Sequence, residues 1–135
     1  RIVLESVSSG GGGVSSTTEA RIRELTERMW RKKFYAVLWD GNGADLRPYL
    51  VEHLEYMIGL ERAGKLFASG PLDFGASSDG LTILRAASAD EARALALRDP
   101  FVVNGIRSFR IREWTVMEGS FGINVNYSDR TIEIT

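Results

Sequence analysis

The chain contains one histidine and no cysteine, so proton-moving chemistry has few places to reside. His53 lies seven residues after Leu46, three after Leu50 and four before Met57. On a helix that spacing sets it within an apolar stripe rather than on the solvated face. Imidazole changes charge near neutral pH, so a shielded histidine is placed to take and return a proton, provided an acceptor on its other ring nitrogen orients it. Asp99, at a helix end directly before Pro100, is the candidate acceptor. The competing reading is a core histidine satisfied by one partner, with Asp99 a solvated turn carboxylate. At this level both remain open.

The elements around His53 follow from pattern and punctuation. Residues 33–39, Lys-Phe-Tyr-Ala-Val-Leu-Trp, are rich in aromatic and β-branched side chains and run into Asp40-Gly41-Asn42-Gly43, which marks a strand and its end. From about Pro48 a helix is expected, because proline suits a first turn, with Leu46, Tyr49, Leu50, Leu54, Met57 and Leu60 tracing its apolar stripe. Gly64 stops it in the left-handed conformation open to glycine. Lys65 to Leu72 reads as a second strand, broken at Gly70-Pro71, and Leu81 to Leu84 as a third paired with it in a hairpin. Ser88-Ala89-Asp90-Glu91 is a capping box opening a second helix, which Asp99-Pro100 ends. Ser108 to Met117, with alternating Phe109, Ile111 and Glu113, gives a fourth strand. The order β-α-β-β-α-β is the ferredoxin-like, split βαβ arrangement of an α+β fold.

Segments outside this core are of other kinds. Residues 8–16 are glycine and serine in all but one position, the composition of a flexible linker. The short Ile2-Val3-Leu4 run before it reads as a docking strand or a tail. After it, Thr18 is expected to cap a helix with Ile22, Leu25 and Met29 on one face. At the other end, Gly122 to Tyr127 and Thr131 to Ile134 flank Ser128-Asp129-Arg130, an additional hairpin that is marginal alone and needs a surface to pack on.

Composition excludes several function classes. With 135 residues, 44% hydrophobic and 26% charged, the chain has the make-up of one soluble globular domain. A net charge of -1 supplies no field to gather phosphates, so neither nucleic acid nor an anionic membrane is an expected partner. No apolar run reaches the roughly 18 to 20 residues that span a bilayer, and nothing at the start has the pattern of a signal peptide. The lack of cysteine suits a reducing compartment, and the expected location is cytoplasmic. No cofactor is expected. A metal centre would need a carboxylate-rich set in place of the absent His-x-x-x-His spacing, and Gly10 to Gly13 lack the lysine and strand-to-helix context of a phosphate loop.

Several strings carry a resemblance to a known family. His53-Leu54-Glu55-Tyr56-Met57, then Glu61 to Leu72 with its Gly70-Pro71, then Ser88 to Leu95, Asp99-Pro100-Phe101-Val102, Gly105-Ile106 and Ile111-Arg112-Glu113-Trp114 together resemble the YciI-like (YCII) family. The resemblance implies a ferredoxin-like subunit that forms a homodimer by joining sheets into an α/β barrel, with a cleft between helices and sheet in each subunit. The chain then divides into residues 1–17, a flexible segment; 18–31, a helix; 32–118, the YciI-like domain; and 119–135, a hairpin extension.

The resemblance also implies that His53 and Asp99 form the family's proposed histidine and aspartate pair at that cleft. Ser69, just before Gly70-Pro71, is expected to border it and hydrogen-bond a small-molecule substrate, although a small strand residue tolerated beside a tight turn would explain it as well. It is not expected to be a nucleophile, since no Gly-x-Ser-x-Gly surrounds it. Arg47, Tyr49 and Trp39 are candidates to hold an anionic or aromatic ligand, although core and rim packing would explain each. Asp73 is a weaker rival to Asp99. One member of this group resembles a dehydrochlorinase that removes HCl from a chlorinated hydroxyhydroquinone, and the related muconolactone isomerases shift protons without cofactors. The expected function is a cofactor-independent lyase or isomerase acting by His-Asp proton transfer on a cyclic or aromatic-derived substrate. The alternatives are a cofactor-free oxygenase and a non-catalytic ligand-binding or assembly module.

Overall fold

The strand over Lys32–Asp40 (β1) buries Tyr35, Val37 and Trp39 on one of its faces, as period-two alternation requires of a strand with a helical layer above it. The computed structural model describes residues 15–135. The remaining elements are α1 (Ser16–Thr26), α2 (Leu50–Arg62), β2 (Leu66–Pro71), β3 (Gly80–Leu84), α3 (Ala89–Leu97), α4 (Pro100–Val103), β4 (Ser108–Val116), β5 (Ile123–Asn126) and β6 (Thr131–Ile134). The domain is α+β. Its four-stranded sheet has the order β2-β3-β1-β4, and β5-β6 form a separate two-stranded sheet.

Register decides which side chains share a face. β3 runs antiparallel to both neighbours, with Trp39 opposite Gly80, Val37 opposite Thr82 and Tyr35 opposite Leu84 on one side, and Ser69 opposite Thr82 on the other. Trp39, Gly80, Thr82 and Ser69 therefore point to the face that carries Val37 and Leu84, because directly opposed residues project to the same side. On that face Tyr35, Val37, Trp39 and Leu84 pack with Met57 and Leu60 of α2 and with Ala92, Leu95 and Ala96 of α3. The opposite face carries Phe34, with Phe67 at 4.6 Å and Trp114 at 6.4 Å between ring centroids, and the Arg85 guanidinium lies over Phe34 and Phe67. Phe67 sits where the β2–β3 register shifts between Leu66 and Ala68.

Several local expectations change in detail. α2 is preceded by a 3₁₀ turn over Arg47–Tyr49 with Pro48 inside it, and Gly64 adopts φ +73, the left-handed stop expected of it. The buried face of α2 is His53, Tyr56, Met57 and Leu60, whereas Leu50 and Leu54 of the expected stripe are exposed. Apolar side chains also occupy Val51 and Ile58, so the helix has two apolar faces and spacing alone does not choose between them. The Gly70-Pro71 pair does not break β2, which runs to Pro71. Proline is tolerated because β2 lies at the sheet edge. In the capping box, Ser88 Oγ accepts from the Glu91 N–H, but the Glu91 carboxylate accepts from Ala87 N–H, one residue earlier than expected.

The chain separates into two units, residues 33–115 and the segments flanking them. In the flanking unit, Ser15 rather than Thr18 caps α1, accepting from the Thr18 N–H, and the helix ends at Thr26, short of the expected 31. Most of the expected glycine-serine linker and the Ile2-Val3-Leu4 run lie outside the described residues. In the C-terminal hairpin Ile123 faces Ile134 and Val125 faces Ile132. All four are exposed. No helix among the described residues is long and apolar enough to cross a membrane.

Candidate functional site

Asp99 owes its position to Pro100. A residue before proline is pushed out of the α region, and Asp99 is extended at φ -60, ψ 128. α3 has already ended at Leu97, and Asp99-Pro100 does more than stop a helix. Asp99 is the N-cap of α4, with Pro100 in its first turn, the two residue types that open helices most readily. Its Oδ1 accepts the Phe101 N–H at 2.9 Å. The same carboxylate, fully removed from solvent, meets His53 Nδ1 at 2.9 Å through Oδ1 and 2.8 Å through Oδ2.

The imidazole is held in plane as well as in contact. The Phe101 ring stacks on His53 with centroids 4.2 Å apart and planes inclined by 19°. The His53 side chain keeps 13% of its exposure, and Nε2 makes no hydrogen bond to any described residue. A carboxylate can only accept, so the neutral ring carries its hydrogen on Nδ1 and presents a bare Nε2 lone pair. This assignment has a direct readout. In a long-range ¹H–¹⁵N spectrum at a pH where the ring is neutral, the single histidine should show a protonated Nδ1 and an unprotonated Nε2. An Nε2–H form would contradict it.

Close to this pair, Tyr56 donates its hydroxyl to the Leu95 carbonyl at 2.6 Å. Burial first, with a contribution from Asp99 and against Arg98, raises the phenol above its ordinary pKa and keeps it a donor. Asp73, the rival partner, lies in the loop after β2, and His53 bonds to Asp99 instead.

Trp39 and Ser69 meet through a residue that spacing does not point to. Trp39 Nε1 donates to Thr82 Oγ1 at 2.8 Å, and Ser69 Oγ lies 2.7 Å from the same oxygen. With Trp39 occupying a lone pair of Thr82, the threonine can give its hydrogen to Ser69, leaving the proton of the exposed Ser69 hydroxyl for a ligand. Arg47 is elsewhere engaged. Its guanidinium binds both oxygens of Asp45 at 3.0 and 3.1 Å with 85% of the side chain exposed, and this pairing raises the Arg47 pKa and lowers that of Asp45. Tyr49 is half-buried at the start of α2 and has no polar side-chain contact among the described residues.

Arg107 joins the two clusters. It is buried at 8% exposure, and its guanidinium carbon lies 5.2 Å from the Trp39 ring centroid and 5.3 Å from that of Phe101. His53, Phe101, Arg107, Trp39, Thr82 and Ser69 thus form one contiguous set. A concavity of about 530 Å³ opens at the Trp39 end, lined by Trp39, Asp40, Asp79, Gly80, Phe109 and Arg110. Neither His53 nor Asp99 lines it. Among the described residues no three acidic, histidine or cysteine side chains gather as a metal site would require.

An α+β sheet domain carrying a solvent-shielded histidine–aspartate pair defines the class. Residues 34–115 match the YCII-related domain, which is more than half of the chain, and the protein belongs to that family. No curated protein matches it at a significant level.

Proposed function

We propose that the protein is a cofactor-independent lyase or isomerase in which His53 moves a proton on a cyclic or aromatic-derived substrate. The observation that carries the reading is the asymmetry of the imidazole, with Nδ1 bound to a sealed carboxylate and Nε2 left without a partner among the described residues. In this mechanism Nε2 takes a proton from an acidic C–H of the substrate, and Asp99 stabilises the resulting imidazolium. In an isomerase His53 returns the proton to a different carbon. In a dehydrochlorinase-like lyase the electron pair released from the C–H bond forms the new double bond as chloride departs, so that HCl is lost. The Ser69 hydroxyl, supported by Thr82 and Trp39, would hold a substrate oxygen. Turnover should proceed without oxygen uptake, measured with an oxygen electrode; uptake matching product formation would replace this reading with the oxygenase.

The fold reading extends to the assembly. The subunit is proposed to be ferredoxin-like and to pair through its sheet as a homodimer. Phe67 and Trp114, at 41 and 42% exposure on the face not covered by α2 and α3, support this. Light scattering should return twice the chain mass of 15.0 kDa, and Trp114→Asp should shift it toward monomer. A wild-type mass of 15.0 kDa at micromolar concentration would contradict the pairing.

One observation favours a second reading, a non-catalytic assembly module. The apolar face of the C-terminal hairpin leaves Ile123, Val125, Ile132 and Ile134 at 63, 52, 66 and 76% exposure. Under that reading His53→Gln would lower the melting temperature and leave partner binding intact.

A further inference from the structure

Among the described residues Arg107 makes no ion pair and no hydrogen bond. Its Nε is sealed from solvent and unbonded, and its terminal nitrogens make no hydrogen bond among the described residues. Asp79, in the loop before β3, accepts the Gly41 N–H at 3.0 Å. Asp99 spends its oxygens on His53 and Phe101. Both carboxylates attract the guanidinium from a distance, opposing the stronger effect of burial, which lowers its pKa. Two aromatic faces hold the group flat, an arrangement that preorganises a planar fork but satisfies none of its donors.

Its tip reaches the sheet at Gly80, where any side chain would collide with Arg107 Nη2; Gly80 and Trp39 both line the concavity of about 530 Å³, so Arg107 lies beside that concavity without lining it. A buried guanidinium with unused donors is costly unless an anion completes it, and its fork matches two coplanar oxygens. We propose that Arg107 anchors a carboxylate subsite, so that the substrate presented to His53 is an organic acid. This rests on the reading of His53 as the proton-transferring group and narrows its substrate class. Phe101, stacked on His53 and under Arg107, sets the carboxylate anchor one aromatic ring away from the base.

The test is calorimetric titration of the full chain with benzoate, with benzamide as its uncharged isostere and with inorganic phosphate. Benzoate should bind the wild type, benzamide at least about tenfold more weakly, as loss of a charge-assisted pair predicts, and phosphate no better than benzamide. Arg107→Met, checked for folding by circular dichroism, should lose the preference for benzoate. Gly80→Ala keeps the charge but displaces the guanidinium, and should lose it too, which keeps the test valid if the arginine variant unfolds. Equal binding of benzoate and benzamide, benzoate affinity retained in both folded variants, or tighter binding of phosphate would each overturn the carboxylate assignment. His53→Gln separates the two readings. It should bind benzoate as the wild type does, and its failure to lose turnover would remove the catalytic role of His53 while leaving the subsite standing.

Discussion

His53→Gln is expected to leave the chain folded and to cut turnover by about 10²- to 10⁴-fold, the usual worth of a positioned acid–base group. Glutamine preserves the length of the side chain and can still donate to the Asp99 carboxylate from its amide, so the sealed acceptor is not left unpaired. What disappears is the basic nitrogen. The apolar partners of this helix face, Met57 and Leu60, stay buried against β1 and α3, and the melting temperature should move by only a few degrees. Activity and thermal unfolding of the purified variant decide the matter together. A variant that unfolds more easily yet turns over normally would make His53 a packing residue.

Asp99 carries two duties, and its substitutions separate them. Asp99→Ala removes the acceptor of both His53 Nδ1 and the Phe101 N–H, and orphaned buried donors together with a lost helix cap cost about 2 to 3 kcal/mol. A fall in melting temperature of roughly 10 °C should follow. Asp99→Asn is the sharper experiment. The amide oxygen can keep the cap on Phe101, so stability should stay near wild type, but the amide NH₂ turned toward Nδ1 favours the Nε2–H tautomer. The base is then occupied, and turnover should drop by about 10²- to 10⁴-fold. If Asp99→Asn lost stability as Asp99→Ala does while turnover held, the carboxylate would be a cap alone.

The residues alone mark His53 and Asp99 as local anomalies, an imidazole among apolar neighbours and a carboxylate before proline, but the expectation that they pair comes from the family resemblance. Strands are legible to within a residue or two, since Asp, Gly and Pro clusters punctuate them. α2 is legible as a helix but not in its rotation, because Leu50, Val51, Leu54 and Ile58 offer a competing apolar face that the structure leaves exposed. α4 escapes detection since four residues are too few to show a period. Thr82 and Arg107 escape for a different reason. Thr82 joins Trp39 and Ser69 only through the registers of β3 with β1 and β2, and Arg107 reaches Trp39 and Phe101 through tertiary contact alone. Arg47 was the natural candidate for an anion, being close to His53 along the chain, but a local pair with Asp45 holds it.

The most direct test of proton transfer is hydrogen exchange at carbon. Wild-type protein and His53→Gln are incubated in D₂O with a panel of cyclic and aromatic-derived acids and phenols bearing an acidic C–H, and loss of the C–H signal is followed by ¹H NMR. The wild type should exchange at least one member, and His53→Gln should reduce that exchange to the solvent rate. Exchange by the variant at the wild-type rate, or none by either protein across the panel, would contradict the assignment of His53 as the base.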